Sequence, residues 1–152
     1  MSEVIYHYTG GHKLKDIFES GRLEVSEWER KNGVRPPALW LSLNSVWEPT
    51  ATKLVNENGN IRRSTKEEQF EKVGLYRFVI PFEKERFCSR GKYKYKTNTN
   101  LETYNNLHRQ GITEGADPAD WYASFKDIPL ESCISCEKWN GESWELFKPF
   151  QS

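Results

Sequence analysis

Residues Val4 to Leu23, VIYHYTGGHKLKDIFESGRL, constrain the fold more than any other stretch, because the hydrophobic period changes from two to about 3.6 within a single short run. Val4, Tyr6 and Tyr8 fall on one face of a strand, and Ile5, His7 and Thr9 on the other, so His7 and Thr9 share a side. Gly10 and Gly11 follow and leave backbone amides uncovered where the chain turns into a helix, a setting that suits an anionic or hydroxyl-rich ligand. Leu14, Ile17 and Phe18 mark the apolar face of that helix, Gly21 caps its C-terminus, and Leu23 returns to the core.

A second strand is expected at Ala38 to Asn44, just after Arg35-Pro36-Pro37 stops regular structure. Leu39, Leu41 and Leu43 alternate with Trp40, Ser42 and Asn44, which puts the leucines in the core and a flat ring, a hydroxyl and an amide on the other face. Asn44 or Ser45 can cap a short helix that brings Glu48 close to Ser42.

The His-Tyr-Thr strand end, the short helix, the Gly21-Arg22-Leu23 exit and the aromatic-x-Ser pattern of Trp40-Leu41-Ser42 resemble the opening of ADP-ribosyltransferase-like proteins. The resemblance covers about residues 4 to 23 and 38 to 53, and more loosely 114 to 125. It implies an α+β fold of two packed, mainly antiparallel sheets with few helices, and an NAD-dependent mono-ADP-ribosyltransferase acting on a macromolecular acceptor, protein or nucleic acid. On this resemblance His7 would bind a ribose hydroxyl and Glu48 would stabilise the oxocarbenium ion that forms as the nicotinamide bond breaks. Thr9, the Gly10 and Gly11 amides, Trp40 and Ser42 would line the dinucleotide site. Glu114, Asp117 and Asp120 are further acidic candidates, although the family's paired Glu-x-Glu or Gln-x-Glu signature is absent. The reading demands that His7, Thr9, Trp40 and Ser42 converge on one cleft, and a structure with His7 and Ser42 on opposite sides of the domain would end it.

Two alternatives share the fold. One is a non-enzymatic binding module, supported by the missing acidic pair. The other is an RNA 2′-phosphotransferase-like enzyme, which needs a cluster of cations in the cleft. From Lys84 to Lys96 six basic residues meet one acid, with Tyr93 and Tyr95 interleaved, so this stretch is the one argument for a local nucleic-acid contact. A solvated edge strand guarded by its lysines explains the same pattern.

Elsewhere, Leu54 to Gly74 reads as a polar surface connection with a turn at Asn58-Gly59, and Leu75 to Phe82 as an interior strand interrupted by Arg77, which suits an edge position or an internal ion pair ahead of a ligand clamp. Asn100 to Arg109 is expected to be helical, ended by Gly111, with a strand following near Trp121 to Phe125. Asn140-Gly141 predicts a hairpin with a two-residue loop that pairs Trp139 with Glu142 and Glu137 with Trp144. Cys133 and Cys136 fall on opposite faces of one strand and lack further ligands, so no metal is expected, and Cys88 completes a set of free thiols.

With 152 residues, one domain over 1–152 is expected. Twenty-two basic and 22 acidic side chains cancel, so no global field draws the chain to polyanions. No apolar run approaches the ~18 residues that span a bilayer and no secretory signal is evident, so neither a membrane partner nor export is expected and the chain reads as cytoplasmic. Phosphate-binding glycine loops and the common hydrolase and metalloprotease motifs are missing.

Overall fold

A computed structural model describes residues 3–26, 31, 38–51, 54–89, 92, 101–113 and 115–150. Its architecture is α+β, built on one seven-stranded sheet in the order β11-β10-β6-β1-β3-β8-β7, all of whose pairings are antiparallel. The strands of this sheet are β1 (Val4–Gly10), β3 (Leu39–Ser42), β6 (Leu75–Pro81), β7 (Cys88–Ser89), β8 (Trp121–Ser124), β10 (Ser135–Trp139) and β11 (Trp144–Pro149). Two small ribbons stand beside it, β2 (Arg22–Leu23) with β9 (Ile128–Pro129), and β4 (Leu54–Glu57) with β5 (Asn60–Arg63). The expectation of two packed sheets is therefore corrected: one sheet dominates. The helices include α1 (Leu14–Ser20), α2 (Lys66–Lys72) and α3 (Leu101–Thr113), and among the described residues no helix is long and apolar enough to cross a membrane.

The opening unit folds as its pattern demands. α1 ends on Gly21 in the left-handed region, φ 74°, and Leu23 and Ile128 of the small ribbon are buried against the face of the large sheet. That face carries Ile5, Leu39, Leu41, Phe78, Ile80 and Cys136, and with Leu14 it forms the main core. On the reverse face Tyr8, Trp47 and Leu75 form a second cluster, flanked by Tyr6, Trp139 and Trp144.

Two stretches differ from the sequence reading. Residues 54 to 74 are not a bare connection: they form a hairpin at Asn58-Gly59 and then α2, opened by a capping box in which the Thr65 hydroxyl accepts from the Glu68 amide and the Glu68 carboxylate accepts from the Thr65 amide. The C-terminal hairpin pairs Trp139 with Trp144 and Glu137 with Leu146, two residues off the expected register. Its loop is longer because the Asn140 side-chain oxygen accepts from the amides of both Glu142 and Ser143, an Asx turn that holds residues 140 to 143 out of the ladder. α3 also runs past Gly111 to Thr113; Gly111 is buried, and a Cβ there would meet the Trp121 ring at 2.3 Å. The loop expected at Arg35-Pro36-Pro37 lies outside the described residues.

Candidate ligand cleft

Strand register decides where the candidate residues point. β1 meets β3 with Tyr6 opposite Ser42. Directly opposed residues in an antiparallel pair share a face, so Ser42 lies with Tyr6 and Tyr8, while His7 and Thr9 lie on the Ile5 side with the core leucines. The expected convergence of His7, Thr9, Trp40 and Ser42 therefore fails at Ser42. Alternation along β3 places the Trp40 indole with Ser42, on the face opposite Leu39 and Leu41.

What Trp40 does offer is its backbone. The His7 imidazole donates from Nδ1 to the Trp40 carbonyl at 2.9 Å. A carbonyl only accepts, so Nδ1 carries the hydrogen, and in the neutral ring Nε2 is left with a lone pair. Burial holds His7 below its usual 6.5, the bond to Trp40 works in the opposite direction, and the nearby Lys13 charge lowers it further. A neutral ring whose free nitrogen accepts is the state these surroundings favour.

His7 lines a cavity of about 610 Å³ whose walls also include Thr9 of β1, Leu39 and Trp40 of β3, and Arg22 to Ser26. The remaining wall is helical: Lys13, Asp16, Ile17 and Ser20 are spaced i, i+3, i+4 and i+7 and so form one stripe along α1 and the turn before it. Arg22 is held at 3.8 Å from Glu24 and 3.3 Å from Asp127, whereas Lys13 and Asp16 make no ion pair among the described residues. Site volumes for small organic ligands run from about 300 to 1,000 Å³, and the cavity falls within that range.

Several expected site residues are engaged elsewhere. Gly10 is buried in the β1–β6 ladder opposite Leu75, and the Gly11 amide donates to the Val73 carbonyl at 2.9 Å, so the Gly11 amide is committed within the protein. The glycines are required by packing: a Cβ on Gly11 would lie 2.2 Å from that same carbonyl oxygen.

Glu48 is close to Ser42, as its place in the chain suggested, but both are on the far face. Its buried carboxylate accepts from the Ser42 hydroxyl at 2.9 Å, from the Thr50 hydroxyl at 2.6 Å and amide at 3.2 Å, and from the Trp121 indole at 3.2 Å. Four donors saturate it, and it ties β3, the turn after it and β8 together. Asp120 belongs to this side; burial raises its carboxyl, and the charges of Asp117 and Glu48 raise it further. Asp117 caps the short turn at Pro118–Asp120 by accepting from the Ala119 amide. Glu114 lies outside the described residues, as do residues 90–91 and 93–96 of the basic stretch. Lys84 and Arg86 sit on the turn beyond Pro81, at the Val4 end of the sheet, and are not part of the cavity wall.

Arg77 is the internal ion pair its position suggested. Its Nε donates to Glu137 at 2.6 Å, a terminal nitrogen donates to the Ser45 carbonyl at 2.5 Å and to the Tyr8 hydroxyl at 3.3 Å, and the guanidinium lies between the rings of Tyr6 and Trp144. The Tyr8 hydroxyl in turn donates to the Asn44 carbonyl. This network fixes the far face as a structural layer.

The cavity residues that sequence reasoning passed over are Lys13, Asp16, Ser20, Arg22 and Glu24. Their signal was present: positions 13, 16, 17 and 20 share one helical face, beside the apolar stripe of Leu14, Ile17 and Phe18. No family model matches the chain, and no curated relative matches it.

Proposed function

We propose that this chain is a binding domain for a ribose-bearing ligand of the nucleotide class, with NAD the first compound to test. One observation carries the reading: His7, whose Nδ1 is committed to the Trp40 carbonyl so that Nε2 remains an acceptor, lines a cavity of about 610 Å³. A sugar hydroxyl is the complementary donor. Thr9, at the same wall, adds a hydroxyl that can donate or accept.

The proposal is the non-enzymatic form of the ADP-ribosyltransferase resemblance. Mono-ADP-ribosyl transfer through Glu48 needs that carboxylate beside the ribose held by His7, and Glu48 instead accepts four hydrogen bonds on the reverse face of the sheet. A 2′-phosphotransferase-like reaction draws less support, since among the described residues of the basic stretch Lys84 and Arg86 are away from the cavity.

Calorimetry with NAD and ADP-ribose, paired with an assay for released nicotinamide, tests this directly. Saturable binding without nicotinamide release is expected. Absence of binding at millimolar concentration would remove the proposal, and enzyme-dependent nicotinamide release would overturn its non-enzymatic character.

A further inference from the structure

We infer that α1 reads the ligand with two side chains, Lys13 taking a phosphate and Asp16 accepting from a sugar hydroxyl. This rests on the ribose-bearing ligand proposed above and adds the recognition code of the cleft.

The charges in the cavity wall differ in whether the protein itself pairs them. Arg22 and Glu24 face each other at 3.8 Å, and Arg22 also reaches Asp127 at 3.3 Å, so their charges are largely spent within the protein. Asp127 is itself occupied, accepting from the Val25 amide at 2.8 Å. Lys13 and Asp16 have no such partner among the described residues, although both belong to the same wall. Surface helices commonly pair opposite charges at this i, i+3 spacing. Here the two groups stay more than ion-pair distance apart and border the cavity instead. The outward face of α1 contrasts with this, for Lys15 and Glu19 reach one another at 4.0 Å in solvent.

Chemistry assigns the roles. The Lys13 ammonium has donors only and a full positive charge, which suits a phosphate; the Asp16 carboxylate has acceptors only, which suits a hydroxyl and repels a phosphate. Lys13 also lies near enough to His7 for its charge to be felt by the imidazole. A ligand whose hydroxyls are held by His7 and Asp16 would thus carry its phosphate toward Lys13. Nucleoside phosphates have that order of groups; free sugars and free nucleobases do not.

The test compares ADP-ribose with adenosine on the intact chain by calorimetry. Lys13→Met is expected to weaken ADP-ribose about tenfold, to flatten the salt dependence of its binding, and to leave adenosine unchanged. Asp16→Ala is expected to weaken both ligands about tenfold, because it removes a hydroxyl acceptor common to both. Lys15→Met, on the outward face, should alter neither. All three positions are exposed, so thermal melts of the variants should match the parent and certify folding. Parent protein that binds ADP-ribose while both cleft variants bind it equally well would overturn this inference and leave the binding function standing. Failure of the parent to bind either ligand would remove the binding function itself.

Discussion

His7 and Trp40 meet beside the point where β1 is paired to β3: the imidazole Nδ1 donates to the Trp40 carbonyl at 2.9 Å, one residue on from the Tyr6–Ser42 pair. A side chain thereby holds the two strands together at the wall of a cavity and has its tautomer fixed by the same bond. His7→Ala is expected to cost about 1 kcal/mol of stability, the ordinary net worth of one hydrogen bond, and to abolish binding in the cleft. Urea denaturation and calorimetry on the same preparation separate the two effects.

The pH dependence follows from the depressed basicity of His7. Its folded midpoint lies below the 6.5 of the unfolded chain, chiefly through burial. Between those two values the unfolded state binds more protons, so stability from this residue is complete above 6.5 and declines as pH falls through that window. Protonation also turns Nε2 from acceptor to donor, so ligand affinity should drop as pH passes below the folded midpoint. Proton NMR of the His7 ring, assigned with His7→Gln, should give a midpoint under 6.5. A midpoint above it would contradict the neutral acceptor.

Arg77→Met should be among the more damaging substitutions on the far face. It removes the partner of the half-buried Glu137 and strands the Ser45 carbonyl, a loss of about 1–3 kcal/mol. Arg77→Lys should recover little, since one ammonium cannot replace both Nε and a terminal nitrogen of the guanidinium. Chemical denaturation of the two variants checks this.

Gly11→Ala separates packing from binding. The new Cβ would fall 2.2 Å from the Val73 carbonyl oxygen, and the strain should lower stability by about 1–3 kcal/mol. Affinity of the protein that remains folded should be unchanged, because the Gly11 amide is already bonded to Val73. A selective loss of affinity without loss of stability would reinstate Gly11 as a ligand-binding position.

Much of the fold was legible because alternation is local. Val4 to Thr9, Leu39 to Ser42 and Leu75 to Pro81 announce their faces in their own sequence, and Gly21 announces the end of its helix. Register is not local. Nothing within either strand says that Tyr6 rather than His7 will oppose Ser42, yet that single step sends Ser42 and Glu48 to the face opposite His7. The same limit explains the C-terminal hairpin, where Asn140 bonds to Glu142 and Ser143 and lengthens the loop that Asn-Gly suggested. The α2 capping box was readable in Thr65 to Glu68 and was hidden only by the polar run around it. Lys13 and Asp16 were hidden differently: a polar stripe on a short helix looks the same whether it faces solvent or a cavity, and only the β3 and Arg22–Ser26 walls make it the latter.

Amide NMR during titration with NAD tests the account most directly, because it reports which face of the sheet the ligand meets. The account predicts saturable shifts centred on His7, Thr9, Lys13, Asp16 and Ser20, with Ser42, Glu48 and the Trp121 indole scarcely moved. Shifts centred on Glu48 and Trp121, with the His7 wall silent, would contradict it.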